Sequence, residues 1–231
     1  MILAIETSTS FGSVAITEEG KTKSLSIINI KNLHAEKIVF LIDQVLKNIN
    51  HRIDKIKAIA ISIGPGSFTG LRVGLSVAKG LCYSSGKPLI AVPTLDALAL
   101  KSLEICKILK RYFIKDEIYV CPILNAKQND FYYSFYKFSE SELERIDDYS
   151  VGDIESINQK IYNTTLFLGD GVDIVREKIN NQKAIILSDE FSYPDASYVG
   201  KIAERKYLNK EFTDIVSIEP IYVKEFSIKT K

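Results

Sequence analysis

Residues 64–70, with the sequence GPGSFTG, come closest in this chain to a ligand-binding motif. A glycine-rich turn between a strand and a helix presents backbone N–H groups and a helix N-terminus, which together bind anions such as phosphate. The spacing is not that of a P-loop, because no Gly-Lys-Ser/Thr follows, and it is not GxGxxG. Ser67 acting as a helix N-cap, with glycines easing the turn, explains the same residues without a ligand. Both interpretations remain open on the motif alone.

Other polar residues that could take part in a reaction are isolated from one another in the sequence. They lie at predicted strand ends or turns. These residues are Glu6 followed by Thr7 and Ser8, Lys127 with Asp130, and Asp170 between Gly169 and Gly171. Each is as readily explained as a turn residue. The sequence holds no GxSxG, HExxH or Ser/His/Asp set. Its two histidines and three widely spaced cysteines, without a CxxC, favour neither a zinc site nor a disulfide framework.

The elements that would position these residues form a mixed α/β pattern. The order over residues 1–110 is three strands, a helix, a strand, a helix, a strand and a helix. The first three strands predict a meander, and the later strands, joined by helices, predict parallel crossovers. The second half predicts strands at 117–124 and 130–138, a strand and turn at 166–171, and a last helix from Pro194 to about Leu208.

Two helices of the first half carry more apolar surface than one sheet can cover. The helix predicted over 33–49 has a wide apolar arc, and the helix that begins at Ser67 places Gly70, Gly74 and Gly80 on one face. Each glycine weakens a helix by about 1 kcal/mol relative to alanine. A helix that keeps several of them is expected to need the close approach of another helix. We therefore expect an intermolecular helix bundle at this surface.

The composition favours a globular protein of the cytoplasm. Of 231 residues, 46% are hydrophobic and 26% charged, so the chain can bury a core. The formal net charge is +1 and few of the cations are Arg, which disfavours a protein that binds nucleic acid by itself. The N-terminus, MILAIETSTS, is unlike a signal peptide, and no apolar run approaches the roughly 18–20 residues of a membrane span. We expect a cytoplasmic location and no contact with a membrane.

Several segments together resemble a known family. MILAIETSTSFGSVAI, a helix opened by His34, GPGSFTGLRVGLSVAKGL and PLIAVPTLDALA are similar to segments of the bacterial TsaB (YeaZ-like) family, and LGDGV and EPIYVK fit its later segments in order. The resemblance implies the actin/Hsp70-like ATPase (ribonuclease H-like) fold, an α/β fold of two related lobes with mixed sheets flanked by helices. It implies a partner-binding lobe at 1–108 and a reduced second lobe at 109–231, with the helix 195–208 packing back on the first lobe.

The resemblance also implies a non-catalytic role in tRNA modification. Members of the family pair with their catalytic paralogue TsaD and work with the ATPase TsaE. TsaD transfers threonylcarbamoyl from its adenylate to N6 of the adenine beside the anticodon of tRNAs that read codons starting with A. The expected partners are therefore TsaD in a heterodimer and TsaE, with tRNA bound only within the complex. No cofactor is expected on this chain alone, since ATP is used through TsaE and a metal is held by TsaD.

Departures from the family's pattern weaken a nucleotide or metal site in this chain. Two TsaD histidines, one helical turn apart, correspond here to Thr94 and Leu98, which cannot replace imidazole ligands. The first-strand carboxylate, usually Asp in the family, is Glu6, and the Asp-Ala-Arg of the second lobe is Asn-Ala-Lys. The candidates for a degenerate nucleotide site are Glu6, Thr7, Ser8, Asn125, Lys127, Gly169 and Asp170. No catalytic residue and no metal ligand is expected.

The helix pattern and the resemblance indicate the same interface. In the family, the first-lobe helices contact TsaD in an intermolecular helix bundle, and they match the helices predicted at 33–49 and 67–84. The expected interface residues are Ile38, Leu41, Ile42, Val45, Gly70, Val73, Gly74, Val77 and Leu81. Two alternatives stay open. One is an enzyme of the same superfamily, an ATP-dependent phosphotransferase or a metallopeptidase-like protein, and the other is a homodimer formed through the same helices.

Overall fold

The computed structural model of the protein describes residues 1–29, 35–161 and 163–223. His34, which was expected to open the first helix, lies outside those ranges, as do residues 224–231. Among the described helices, none combines the length and the apolar character that a membrane crossing requires.

Five strands of the first half form one sheet: β1 (Ile2–Glu6), β2 (Phe11–Glu18), β3 (Lys21–Asn29), β4 (Ala58–Ser62) and β5 (Leu89–Val92). Their order is β3-β2-β1-β4-β5, with β1 antiparallel to β2 and parallel to β4. β1 and β4 read ILAIE and AIAIS, and all of their residues are buried. Such apolar runs suit central strands whose two faces are both covered. The predicted meander followed by parallel crossovers is confirmed.

Four helices come from the first half: α1 (Ala35–Asn48), α2 (Phe68–Ser85), α3 (Thr94–Lys101) and α4 (Leu103–Tyr112). α1 and α2 cover one face of the first sheet, where Ile38 and Leu75 share a core with Ile5. Ser67 caps α2 as predicted, because its side chain accepts a hydrogen bond from Gly70 N.

The last helix predicted within residues 1–110 is in fact two helices. The chain is interrupted between α3 and α4 at Ser102, whose Oγ donates to Ala99 O (2.8 Å). A serine hydroxyl that bonds a preceding carbonyl competes with the helical ladder, which favours a break. Thr94 is the first residue of α3, and its neighbour Pro93 holds the cap position.

Seven strands of the second half form the other sheet: β6 (Ile118–Asn125), β7 (Phe131–Tyr133), β8 (Tyr136–Ser139), β9 (Glu142–Arg145), β10 (Ser150–Gly152), β11 (Thr164–Leu168) and β12 (Ala184–Ile186). The accompanying helices are α5 (Ile154–Asn158), α6 (Val172–Val175) and α7 (Ala196–Leu208). The main path is β10-β7-β6-β11-β12, and the hairpin β8–β9 joins it at β6. The strand predicted over 130–138 is interrupted at Ser134 and Phe135, so β7 and β8 pair with opposite ends of β6.

The two sheets share one topology. The path β10-β7-β6-β11-β12 repeats β3-β2-β1-β4-β5 in order and in the direction of each strand pair. Two related lobes of mixed sheet flanked by helices are thereby confirmed. The second lobe has shorter helices, since α5 and α6 have 5 and 4 residues where α1 and α2 have 14 and 18. Its sheet nevertheless has more strands, because the hairpin β8–β9 is inserted.

Two helices cross over between the lobes. α7, the helix expected at 195–208, packs on the first sheet, where Val199 shares a core with Ile2. α3 packs on the second sheet, where Leu95 shares a core with Ile118. α3 lies before residue 108 and α4 spans it, and both helices have residues in the core of the second sheet. A helix buries its apolar face against the sheet it can reach, whatever its place in the sequence.

The segment that follows α7, residues 212–223, runs along the open edge of the first sheet, and we call it the C-terminal strap. Thr213 N donates to Leu89 O of β5 (2.8 Å), and Ile221 N donates to Ile63 O beyond β4 (2.7 Å). The strap thus occupies backbone groups that would otherwise leave an unpaired sheet edge.

Candidate functional site

The turn between β1 and β2 lies directly against the N-terminal half of α2. A β-carbon at Gly66 would lie 2.7 Å from Ser8 Cβ, and one at Gly70 would overlap the carbonyl oxygen of Thr7. At Gly74, a β-carbon would overlap Thr7 Oγ1. These glycines are therefore required by the chain's own turn, which approaches the helix too closely for any side chain. Of the two interpretations of GPGSFTG, the structure favours a capped helix with a close backbone approach.

The part of the small-residue face of α2 around Gly70 and Gly74 is consequently not available to a partner. We expected Gly70 and Gly74 in an interface, and both are buried beneath Thr7. The prediction is wrong for these two glycines, because a turn that is distant in sequence covers the face that the helical periodicity left open.

Glu6 ends β1 inside the protein and has no exposed surface. One carboxylate oxygen accepts a hydrogen bond from Ser8 N, and Oε2 has no hydrogen-bond partner in the described structure. Burial raises the pKa of Glu6 above its ordinary value, because the charged form is poorly solvated there. An inaccessible carboxyl whose charged form is disfavoured by burial is a poor ligand for Mg²⁺, which prefers charged or strongly polar oxygens with room for water.

The hydroxyl groups of Thr7 and Ser8 beside Glu6 are also enclosed. Thr7 Oγ1 and Ser8 Oγ are buried, and neither has a hydrogen-bond partner among the described residues. Buried hydroxyl groups without partners are costly, and they are retained where packing determines the residue. Here Thr7 fills the space left by the glycines of α2.

The second-lobe candidates lie together at the end of β6. Asn125 N donates to Asp170 Oδ1 (2.8 Å), and Lys127 N donates to Asn125 Oδ1 (2.8 Å). Gly169 has φ +111°, and a β-carbon there would overlap Ile123 O, so the turn before Asp170 requires glycine. Burial raises the pKa of Asp170 from 3.8 to about 6. Lys127 is exposed and its side chain extends from a left-handed residue, φ 66°.

The structure thus brings the nucleotide-site candidates into two groups. Glu6, Thr7 and Ser8 form the first-lobe group, and Asn125, Lys127, Gly169 and Asp170 form the second-lobe group. No hydrogen bond of the described residues joins the two groups. Asn125 and Lys127 of the second group are exposed, whereas Asp170 is partly buried and the carboxylate of the first group is enclosed.

Thr94 and Leu98, the positions that the resemblance relates to two TsaD histidines, are packing residues. Thr94 Oγ1 is hydrogen-bonded to Ser62 Oγ (2.6 Å) and accepts from Gly64 N (3.1 Å), and Leu98 is buried. Across the described ranges, no group of three or more His, Cys, Asp or Glu side chains could hold a metal ion.

The interface residues expected on α1 are buried within the chain itself. Ile38, Leu41, Ile42 and Val45 lie in the core between α1 and the first sheet, with 0%, 3%, 6% and 0% of their surface exposed. The prediction is wrong for these four residues, because the apolar arc of α1 packs on β2 and β3.

Apolar surface is exposed instead on the outer sides of the same two helices. Val39 and Phe40 of α1 each expose 55% of their surface. Gly80 of α2 is exposed, with open space where a β-carbon would lie. The exposed and half-buried apolar positions, which we call the α1–α2 surface, are Val39, Phe40, Val73, Val77, Gly80 and Leu81. Our prediction lacked Val39 and Phe40, although two adjacent apolar residues beside the core-facing stripe are a readable signal in the sequence.

Comparison with known proteins gives a consistent result. Residues 28–230 match the family described as "TsaD: tRNA N6-adenosine threonylcarbamoyltransferase". A relative from Haemophilus influenzae, named tRNA threonylcarbamoyladenosine biosynthesis protein TsaB, is 26% identical over 227 residues, 96% of this chain and 93% of the relative. A protein of the same name from Buchnera aphidicola subsp. Schizaphis graminum is 32% identical over 175 residues, 74% of this chain and 79% of the relative. The solved structure of YeaZ from Pseudomonas aeruginosa shares the fold, with a TM-score of 0.77 and 23% identity over 96% of this chain and 98% of that one.

Proposed function

The chain belongs to the TsaB (YeaZ-like) family, and on this premise we propose that it is a non-catalytic subunit that binds and supports TsaD in tRNA threonylcarbamoyladenosine biosynthesis. In this function, TsaD transfers threonylcarbamoyl from its adenylate to N6 of the adenine beside the anticodon. This chain binds no cofactor alone, since ATP acts through TsaE and the metal belongs to TsaD. The tRNA is bound within the complex.

The observation that carries the proposal is that α2 has two different sides. Its inner, glycine-lined side is covered by Thr7, next to the enclosed Glu6. Its outer side, together with Val39 and Phe40 of α1, leaves apolar surface exposed. An enclosed carboxyl supports a role without chemistry, and exposed large apolar side chains such as Phe40 are consistent with a protein-binding site.

The composition of the α1–α2 surface suits a helix of the partner. Gly80 adds no side chain to the surface, so a helix can approach α2 closely at that position. Phe40 and Val39 offer large apolar side chains that lose contact with water when a partner covers them. A TsaD paralogue with the same lobe topology would present an equivalent pair of helices, and the contact would be a four-helix bundle.

Gly80→Arg tests this surface. Arg has room at this exposed position and is a better helix former than Gly by about 1 kcal/mol, so the variant is expected to fold at least as stably as the wild type. Its side chain would block the close approach of a helix. We expect Gly80→Arg to lose co-elution with TsaD in size-exclusion chromatography and Gly80→Ala, the matched control, to keep it. Gly74→Arg is unsuitable, because Thr7 leaves no space there.

A folded Gly80→Arg protein that still binds TsaD would contradict the proposed surface. The proposed role is tested separately by reconstituting the modification from TsaD, TsaE, the threonylcarbamoyl adenylate and tRNA, with and without this chain. Equal product in both reactions would contradict a supporting role. Mg²⁺-dependent ATP turnover by the purified chain, lost in Glu6→Ala, would favour a phosphotransferase instead. Light scattering of the chain alone and mixed with TsaD would show whether a homodimer uses the same surface.

A further inference from the structure

One end of the first lobe carries a group of cations that come from two loops. The loop between α1 and β4 and the loop between α2 and β5 meet at the N-terminal ends of the parallel strands. Lys57 N donates to Met1 O (2.9 Å) and Lys87 Nζ donates to Asp54 O (3.2 Å), which joins the first loop to β1 and to the second loop. We call the cations of these two loops the basic end: Arg52, Lys55, Lys57 and Lys87.

The local packing leaves three of these four side chains exposed. A 3₁₀ turn spans Ile53–Lys55, and Ile56, which follows it, is 1% exposed and lies in the core beneath α1. With the isoleucines directed inward, Arg52, Lys55 and Lys57 are exposed. The sequence HRIDKIK therefore alternates anchoring isoleucines with charges that face the solvent. The cations are carried on backbone that is attached to two strands of the sheet, which limits the entropy lost when they bind a ligand.

The cations of the basic end outnumber the acidic residues of their two loops. None of the ion pairs of the described residues includes Arg52, Lys55, Lys57 or Lys87. Asp54 is the only acidic residue of the loop from 49 to 57. Some cations elsewhere in the chain are paired, as in the contact of Nζ with a carboxylate oxygen in Lys160–Asp147 (2.9 Å). In a protein with a net charge of +1, the basic end is therefore a local excess of positive charge.

We propose that the basic end binds the sugar-phosphate backbone of the tRNA while TsaD carries out the transfer, an inference that rests on the proposed function. Phosphate contacts by Lys and Arg supply affinity and register, and they require no reading of the bases. Arg52 offers a planar fork to a phosphate, and the lysines offer mobile point charges. The near-zero net charge of the chain is consistent with this, since a few local contacts add to the affinity of a complex without making the subunit a nucleic-acid-binding protein by itself.

The triple variant Arg52→Gln, Lys55→Gln, Lys57→Gln tests the proposal in the complex with TsaD. All three side chains are exposed, so the fold is expected to be kept. The tRNA dissociation constant is measured over a range of salt concentrations. Since each phosphate contact contributes about 0.7 to 0.9 to the slope of log K against log salt, the slope should decrease by about 2 to 3. The matched control removes the same charge elsewhere, at the exposed Lys115, Lys178 and Lys210.

An unchanged salt slope in the triple variant would overturn the proposal. Weaker assembly of the triple variant with TsaD in the absence of RNA would also overturn it, because the basic end would then contact an acidic surface of the protein partner. Experiments with the wild-type chain distinguish failure of the basic-end proposal from failure of the proposed function. If the wild type stimulates modification and the triple variant does so equally with unchanged tRNA affinity, only the basic-end proposal fails. If the wild type neither binds nor stimulates TsaD, both proposals fail.

Discussion

Thr7 Oγ1 occupies the position that a β-carbon of Gly74 would take, so the turn after β1 and the middle of α2 are in direct contact. The contact explains why a helix of the first lobe keeps glycine at a position where alanine would favour the helix. It also determines which surface of α2 is left for a partner.

Gly74→Ala is expected to destabilise the protein, whereas Gly80→Ala is expected to stabilise it. The methyl group at Gly74 would overlap Thr7 Oγ1 and crowd Ile61 Cδ1 (3.1 Å), and overpacking of this kind costs about 1–3 kcal/mol. At Gly80 the methyl group has open space and gains up to about 1 kcal/mol of helix propensity. Urea unfolding measures both. Adding Thr7→Ala to Gly74→Ala should recover part of the loss, and equal effects at the two glycines would contradict the contact.

Glu6→Gln is expected to make stability less sensitive to pH. Because burial raises the pKa of Glu6 in the folded protein, its contribution is fully present below the unfolded value of 4.5 and is lost as pH rises through the folded pKa. Gln cannot ionise, and its amide oxygen still accepts from Ser8 N. The stability of Glu6→Gln relative to the wild type should therefore increase in thermal melts as pH rises above 4.5. A difference that does not change with pH would show that Glu6 is not protonated in the fold.

The pKa of the Asp170 carboxyl group should lie well above that of an ordinary aspartate. Burial raises its pKa from 3.8 to about 6, so its contribution to stability is present below 3.8 and is lost as pH rises through about 6. At neutral pH, where Asp170 is ionised, the raised pKa lowers the free energy of unfolding by about 3 kcal/mol. NMR of the Asp170 carboxyl carbon is expected to show a midpoint near 6. A midpoint near 4 would mean that water reaches the carboxylate freely.

Lys79→Met is expected to loosen the C-terminal strap. Lys79 Nζ donates to Ile218 O (3.0 Å) and Val216 O (3.4 Å), and Met keeps the apolar stem but no donor. The loss of such bonds costs about 0.5–1.5 kcal/mol each, so the strap should open more often. Faster hydrogen exchange of the Ile221 amide, which donates to Ile63 O, measures this opening.

Lys87→Met is the control for the strap, because Lys87 Nζ donates to Asp54 O at the opposite end of the sheet. The Ile221 amide should exchange in this variant as it does in the wild type. Equal exchange of that amide in Lys79→Met and the wild type would show that backbone pairing alone holds the strap.

Much of the framework could be predicted because it depends on local patterns. The uninterrupted apolar runs of β1 and β4 indicate strands covered on both faces, and the structure confirms them. Ser67 before a glycine-rich helix indicates an N-cap, which it is. The family could also be recognised, since GPGSFTGLR and PTLDALA are specific strings of residues. These features are readable because each is decided by residues that are close together in the chain.

The features that needed the tertiary structure depend on residues far apart in sequence. Periodicity identified a glycine-lined face on α2, but only the fold shows that Thr7 covers it, so Gly70 and Gly74 leave the candidate interface. Likewise, a wide apolar arc on α1 could not reveal that the sheet buries Ile38 and Val45. The sequence by itself determined the central strands of the first sheet, the Ser67 cap and the family. Which apolar surface is core and which is exposed was decided by the tertiary structure, because a helix pattern describes the face and not what packs against it.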